Sequence, residues 1–421
     1  MPSIVAYNNL LEDIQEAYND AADRAQLRYV NSVSSIPQEG DEVEWVRRNI
    51  DTGLAPITSP EQNSPILPQG RYHTARSTAV ESRFIKAFNR QELANLSSAD
   101  KRIRIQAEDH IQYEIVDQLR RAEHLQEMIA NDLLVKGTVS YVEVTPGIQV
   151  KVLTSIDGFH ISTASTTWDN TATATVRDDI DAELLAYWQR NNEMPAAMRM
   201  SRDTWNLMKV NTQVTNLIQN YMVTAGGANI NRDDGIGGLV SRSLVIQAFD
   251  WPEIILDDAS TTVSGTCAST TGATASETLT LNAQVYGIRP GDTLLVGWDE
   301  RDGSYTSTRP VLGVGVTGRT LTIDCTAGAV TAGDICAVKC RFLPLTDVQF
   351  VPQNETANLE WRNPYYSIEV SGDLPVLPDR SGLTVDAFSA GEQGLAVFRR
   401  VWNKFGMRVK DPRKLQTFVT R

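Results

Sequence analysis

The chain has 421 residues, of which 41% are hydrophobic and 22% charged, and a formal net charge of −13. This composition suits two or three globular domains with at least one sizeable core and excludes wholesale disorder. The acidic balance argues against a dedicated nucleic-acid binder, which is normally basic. No run approaches the roughly 18 consecutive apolar residues of a membrane-spanning helix.

The opening MPSIVAYNNLLEDIQEAYNDAADR lacks the basic and continuous apolar regions of a secretory signal, so the chain is expected to be cytosolic when made. Residues 4–29 have a helical pattern with Leu10, Leu11, Ile14, Ala17, Ala21 and Ala22 on one broad face. Glu12, Asp13, Glu16, Asp20 and Asp23 are opposed there only by Arg24, so the segment reads as an acidic N-terminal arm. Residues 41–80 form a long excursion in which EVEWVRRNI leads out as a strand and YHTARSTAV returns as one. Between them Pro56, Pro60, Pro65 and Pro68 forbid a helix or a central strand. Yet Leu54, Ile57, Ile66 and Leu67 are too apolar for a solvated linker. At ~3.3 Å per residue such arms would reach ~50–60 Å, far beyond an ordinary hairpin. An extended, proline-stiffened, apolar segment is one that buries its side chains against something outside its own fold.

A long helix is predicted from about Ala99 to Lys136, capped by Ser97 or Ser98 and ended by Gly137. Ile111, Ile115, Leu119, Ala122, Ile129 and Leu133 form its stripe, and at 1.5 Å per residue it would span ~55 Å. A hairpin around Pro146-Gly147 follows, then a compact mixture of α and β: DDIDAELLAYWQRN with Ile180, Leu184, Leu185 and Trp188 on one face, SRDTWNLMKV and TQVTNLIQNYM as helices, and SLVIQAF and EIILDD as strands. From Ala259 to Leu345 the texture changes to short Thr- and Val-rich strands separated by turn residues, the pattern of a small barrel or sandwich. Its flanks, IILDD and DVQFVP, read as two strands of one hairpin with the module inserted at the tip. All four cysteines, Cys267, Cys325, Cys336 and Cys340, fall in this window, at spacings that suit buried free thiols better than zinc. The end of the chain is basic: residues 399, 400, 404, 408, 410, 413, 414 and 421 are Lys or Arg against the single acid Asp411.

Catalytic chemistry has no foothold in the sequence. There is no nucleophile elbow, no metalloprotease helix motif and no phosphate-binding P-loop. GVGVTG at Gly313 matches a dinucleotide-binding pattern by letter, but it lies between short strands and opens no helix. His110 and His124 stand 14 residues apart on the long helix without other ligand types beside them and read as helix-surface residues. No catalytic residue, metal or cofactor is therefore expected.

The order of these elements resembles the major capsid proteins of tailed bacteriophages with the Hong Kong 97 (HK97-like) fold, closest to the lambda-type major capsid protein E family. The likeness is carried by LAPITSP, ARSTAVESRFIKAFNRQELANLS, the helix within KRIRIQAEDHIQYEIVDQLRRAEHLQEMIANDLLVKGTVSY, EIILDD with DVQFVPQNET, and GLAVFRRVWNKFGMRVKD. The resemblance implies an α+β capsid fold: an N-terminal arm (1–40), an E-loop (41–80) and a peripheral domain (81–164) with spine helix 99–136. An axial domain (165–258 and 346–391, the latter returning to the peripheral domain), an inserted all-β domain (259–345) and C-terminal peripheral strands (392–421) complete it. Residues 138–162, about 357–371 and 392–421 would share one long sheet. The implied function is self-assembly, through hexamers and pentamers, into an icosahedral head enclosing double-stranded DNA, with the protein made in the host cytoplasm and residing in the virion. Leu54, Ile57, Ile66 and Leu67 would lie across a neighbouring subunit. Arg399, Arg400, Lys404 and Arg408 would face DNA or form an assembly contact with acids such as Glu12, Asp13 and Glu16 of a neighbour's arm. A portal protein, a decoration protein and non-specifically held DNA are further implied partners. With only about 40 residues ahead of the E-loop, scaffolding is expected from a separate protein. Two rival readings are an encapsulin-type compartment shell around cargo enzymes and a β-rich tail-tube or adhesin protein; the latter leaves the long helix unexplained.

Overall fold

The computed structural model describes residues 27–39, 42–48, 72–78, 80–88, 95, 98–142, 150–155, 159–224, 241–273, 276–281, 287–299, 304–315, 320–326, 330–331, 333–365, 382–390 and 396–421. The N-terminal arm before Leu27 and the tip of the 41–80 excursion lie outside them. The chain enters through a short helix, α1 (Arg28–Ser32), and four strands, β1 (Ser35–Glu39), β2 (Glu42–Arg48), β3 (Tyr72–Thr78) and β4 (Val80–Phe88). The long helix is α2 (Lys101–Lys136). It is capped by Asp100 rather than by Ser97 or Ser98: the Asp100 carboxylate accepts from the Arg102 N–H at 2.9 Å. Gly137 ends it at φ 68°, and a Cβ there would lie 2.7 Å from the Phe159 ring, so glycine is required twice over. All six residues of the expected stripe are buried.

The hairpin strands β5 (Thr138–Val142) and β6 (Val150–Ser155) come next, then β7 (His160–Thr163), α3 (Val176–Asn191), β8 (Ala197–Met200), α4 (Arg202–Val210), α5 (Thr212–Thr224), α6 (Arg242–Phe249) and β9 (Glu253–Leu256). Two sequence expectations fail here. SLVIQAF is helix α6 and not a strand, because the Ser241 hydroxyl accepts from the Leu244 N–H and Asp250 closes the far end at φ 55°. On α3 the inward stripe is Val176, Ile180, Leu184 and Tyr187, a strict three-and-four spacing. Leu185 and Trp188, expected on one face with Ile180 and Leu184, are rotated off it and stand 54% and 49% exposed.

Residues 260–341 form a closed barrel of β10 (Ser260–Ala273), β11 (Ser276–Leu281), β12 (Thr293–Val296), β13 (Ser307–Val314), β14 (Thr320–Asp324) and β15 (Ile335–Arg341), ordered β10-β11-β14-β13-β12-β15. Beyond it lie β16 (Asp347–Val351), α7 (Glu355–Asn358), β17 (Leu359–Tyr365), β18 (Gly382–Ala390), β19 (Ala396–Val409) and β20 (Gln416–Val419). The flanking strands of the barrel are not a hairpin: in the sheet β7-β20-β16-β8-β9, β8 separates β16 from β9. The stem is β10 with β15, extended by the Phe342 N–H donating to the Ala259 carbonyl at 3.0 Å.

The described residues divide into two compact units, one drawn from Met1–Ser32, Asn95–Asn358 and Asp411–Arg421, the other from Val33–Ala94 and Leu359–Lys410. In the second, β19 pairs with β17, β18 and β4, while β1 lies parallel to β17; Trp361 and Phe405 meet edge to face there. The expected long sheet is thereby corrected. β5 and β6 pair with each other, and β20 joins β16 and β7 of the first unit. The break falls where Asp411 caps the 3-10 turn Pro412–Lys414, and the proline cannot continue a ladder.

In the first unit, helices α3 to α6 cover the sheet over a core that includes Trp168, Trp205, Met198 and Phe350. The barrel core, with Leu279, Leu294, Leu321 and Ile323, continues into Met128 of α2 and Leu27. All four cysteines are buried in this region and none is in a disulfide, and burial pushes the Cys325 and Cys336 thiols up to about 11, leaving them protonated and unreactive. Arg289 locks barrel to helix: Nη2 reaches Asp132 Oδ1 at 2.5 Å, and Nη1 donates to the carbonyls of Arg341 and Phe342 at 2.9 and 3.0 Å. Beside it, Asp292 accepts the Arg289 and Arg341 N–H groups. Burial pushes its carboxyl up to about 6, against the pull of those donors and of the two guanidinium groups.

A carboxyl whose folded value lies above its ordinary 3.8 contributes stability that is complete below that value and lost as the pH rises through about 6. On moving from about pH 7.5 to about pH 5, the wild-type melting temperature is therefore expected to rise relative to that of Asp292→Asn. Equal pH profiles for the two proteins would show that Asp292 does not titrate in this range.

Candidate functional site

A buried polar cluster in the first unit joins the segment after the N-terminal arm to the body. Leu27 is 1% exposed and Tyr29 0%. The backbone N–H groups of Arg28, Tyr29 and Val30, which open α1 and have no helical partners, all donate to one carboxylate, Glu127 on α2, at 3.1, 2.8 and 3.0 Å. Asn131, one turn further along, donates its side-chain amide to Glu127 Oε1 at 3.2 Å. Burial raises the Glu127 pKa, opposed by these donors and by the nearby Arg199 charge.

The same segment makes one ion pair, Arg28 with Glu355, and touches a second, Arg199 with Asp257. Arg28 donates Nε and Nη2 to Glu355 Oε2 at 3.1 and 2.7 Å. Tyr29 donates its hydroxyl to Glu355 Oε1 at 2.9 Å and accepts from Arg199 Nη1 at 3.0 Å. Arg199 is 1% exposed and sits on β8 directly opposite Gln349 of β16, whose Oε1 accepts from Nη1 at 3.0 Å. Its Nε donates to Asp257, just past β9, at 2.6 Å. Burial alone would lower the Arg199 pKa, but Tyr29, Asp257 and Glu355 reverse that and hold it raised, so the charge is permanent. The Tyr29 pKa is raised by burial, and its ring has the Arg28 and Arg199 guanidinium carbons 5.9 and 5.5 Å from its centroid. Asn354, at φ 58°, turns the chain just before Glu355.

None of these residues stood out in the sequence. The one available signal was AMRM: an arginine between two methionines on a strand, which alternation places on the face opposite the Met198 and Met200 core. Leu54, Ile57, Ile66 and Leu67 lie outside the described residues. Arg399 and Arg400 are in β19, opposite Ala387 and Asp386 of β18 and Lys86 and Ile85 of β4. Lys404 is buried at 5% exposure, and Arg408 Nη1 lies 3.2 Å from Glu360 Oε2. Further along, Arg413 pairs with Asp411, Lys414 with Glu193 and Arg421 with Asp169. His124, read as a helix-surface residue, is instead half-buried, with Nδ1 at 2.8 Å from Thr261 Oγ1 and its ring edge-on to Phe342. Among the described residues no group of three His, Cys, Asp or Glu side chains is placed to hold a metal ion, and no helix is long and apolar enough to cross a membrane.

No protein-family model and no curated protein matches the chain. Among solved structures it is similar to the capsid of Myoviridae phage XM1, at 9% identity over 93% of this chain and 90% of that one, with a TM-score of 0.41. The mature capsid of bacteriophage PhiM1 is matched at 10% identity over 93% and 86%, with a TM-score of 0.40. The holo-SrpI encapsulin complex from Synechococcus elongatus PCC 7942 is matched at 9% over 93% and 86%, with a TM-score of 0.35. Likenesses of this size decide neither the family nor the function of this chain.

Glu127→Gln keeps the shape of the acceptor but turns an amide NH2 toward backbone N–H donors. Leaving buried donors unmatched costs about 1–3 kcal/mol each, so the variant is expected to melt lower and to be cut faster by trypsin after Arg28. Wild-type protection at Arg28 in the variant would show that the carboxylate does not hold the segment.

Proposed function

We propose that this chain is a major capsid protein of the tailed-bacteriophage type, with the HK97-like fold, which self-assembles into an icosahedral shell of hexamers and pentamers enclosing double-stranded DNA. The supporting observation is the ribbon β2–β3. It pairs over seven positions, from Glu42↔Thr78 to Arg48↔Tyr72, and among the described residues neither strand pairs with a third. A two-stranded ribbon is marginal alone in water, and this one carries the apolar, proline-stiffened residues 49–71 between its strands. The strands themselves touch β17 and β19 of their own unit, so it is the apolar segment between them that asks for cover from outside the subunit. A neighbouring copy supplies it in a closed shell, with Leu54, Ile57, Ile66 and Leu67 as the contact residues, which makes 41–80 the E-loop. In this reading α2 is the spine helix, the sheet under α3 to α6 belongs to the axial domain, and the barrel is an insertion. Scaffolding, portal and decoration proteins would be separate chains, and DNA would be held without sequence preference.

Electron microscopy of the purified protein, alone and with the phage scaffold, is expected to show closed particles, with nucleic acid and not enzyme cargo in those from infected cells. Protein that stays monomeric across concentration, salt and added scaffold overturns the reading. Deleting residues 54–68 is expected to abolish or destabilise particles while leaving a folded subunit; unchanged particle yield and melting would remove these residues from the contact.

Of the four basic positions proposed to meet DNA or a neighbour's arm, Lys404 is buried and Arg408 pairs with Glu360, which leaves Arg399 and Arg400 to carry the role. With both replaced by Gln, normal empty particles and weakened DNA-filled ones are expected if they face DNA. Failure of empty particles to form would make them an assembly contact, and no change in either would end their candidacy.

A further inference from the structure

The barrel is carried on two chain connections, residues 257–259 after β9 and residues 342–346 before β16. Its foot, residues 287–292, lies tight against α2 and against the second connection. A Cβ at Gly287 would stand 2.9 Å from the Met128 methyl carbon, and one at Gly291 would stand 2.6 Å from Leu345 Cδ1. Three carboxylates from three different elements are buried in this joint. They are Asp132 of α2, Asp292 of the foot and Asp347 of β16, at 6%, 3% and 7% exposure. Among the described cations around them, Arg289 alone is as deeply buried, at 7%.

The other charged and titratable groups facing the joint do not make up the difference. Lys136 Nζ is 3.0 Å from Asp132 Oδ1, but its side chain is near half exposed. Arg341 gives Asp292 only its backbone N–H; its guanidinium turns to the surface, 3.0 Å from Asp203 and 4.0 Å from Asp258. The Thr346 hydroxyl donates to Asp347 Oδ1 at 2.9 Å. Burial keeps the Cys340 thiol protonated, with the Asp292 charge adding to the effect, and His124 is engaged with Thr261. Three ionised carboxylates around one buried guanidinium leave uncompensated negative charge in a dry site, and a bound proton relieves it. We propose that the foot of the barrel is a proton-operated joint. With a proton held among Asp132, Asp292 and Asp347 the barrel seats on α2; without it the barrel loosens while barrel and sheet each stay folded.

The direction of the effect follows from linkage. Burial raises the carboxyls of both Asp292 and Asp347. For Asp347 the Thr346 hydroxyl, Arg289 and Lys136 oppose the rise, and Asp132 adds to it. Loosening admits water and returns each carboxyl toward its ordinary 3.8, so the seated form binds the proton more tightly. The proton's contribution to seating is present in full below 3.8 and is lost as the pH rises through about 6, the value for Asp292. From these two values Asp292 alone makes the loosened fraction about tenfold larger at about pH 7.5 than at about pH 5. The joint works within one subunit and does not depend on self-assembly.

Hydrogen exchange of the full-length free subunit tests the joint, read by mass spectrometry and corrected for the pH dependence of the chemical exchange rate. Peptides covering 287–292 and 339–345 are expected to exchange before those covering β8 and α4 at both pH values, by local opening. Their corrected rate should be about tenfold or more higher at about pH 7.5 than at about pH 5. Asp292→Asn, which holds no titrating proton, should lower that ratio severalfold whatever it does to overall stability. Should this variant fail to fold, the wild-type ratio decides alone. Equal corrected rates at the two pH values overturn the proposal, and so does a ratio that Asp292→Asn leaves unchanged. Foot peptides that exchange only together with β8 and α4 overturn it as well, since the barrel would then loosen only when the whole unit unfolds.

Discussion

Arg199 is the constraint around which the first unit is arranged. A guanidinium at 1% exposure on a strand between two methionines is tolerable only if every donor is met and its charge balanced. Asp257 supplies the balance from the end of β9, Gln349 an acceptor across the β8–β16 ladder, and Tyr29 the third partner from outside the sheet. Removing the Tyr29 segment would leave that face of the arginine open. The chain entry is therefore built into the core rather than laid on it, although Leu27 to Ser32 is only six residues long.

α2 carries this constraint to the barrel. Glu127 and Asn131 serve the entry segment; Met128 and Asp132, each one residue further round the helix, serve the barrel through its core and through Arg289. Two adjacent stripes of one rigid helix thus hold two different structures within about 8 Å of axial rise. Leu27 packs in the barrel core while Arg28 to Val30 sit on Glu127, so entry segment, helix and barrel interlock. By packing, the barrel is part of this unit rather than a separate appendage, even though its strands close on themselves.

The second unit follows a different logic. β19, 14 residues long, is the common partner of β17, β18 and β4, and residues 403–407 are buried on both faces of the strand. A basic stretch that looks like a solvated or ligand-facing edge in the sequence is there partly interior. Arg408 has its counter-charge in Glu360 on the neighbouring strand, a position 48 residues away that charge counting along the chain does not connect. The single acid visible among the C-terminal basics was a local count; Lys414 and Arg421 belong to the first unit and meet Glu193 and Asp169 there, acids from far earlier in the chain.

What the sequence determined by itself is what short-range periodicity and turn chemistry encode. α2 with its buried stripe and Gly137 stop, the later strands of the barrel with their turn residues and the β2 and β3 ribbon were legible, because each is specified by residues within a few positions of one another, whereas the small-residue strand β10 was not. Where two local signals competed, the wrong one could win: SLVIQAF is as good a strand as a helix until Ser241 caps it, and α3 had two adjacent apolar stripes of which only one could face the sheet. Tertiary structure alone decided the pairings and the polar core. Which strand separates β9 from β16, that β20 leaves β19 for the other sheet, and that Glu127, Arg199, Asp257 and Glu355 meet around Tyr29 all depend on contacts between residues tens to hundreds of positions apart. Such partners are chosen by burial, since only when desolvated together do these charges require one another.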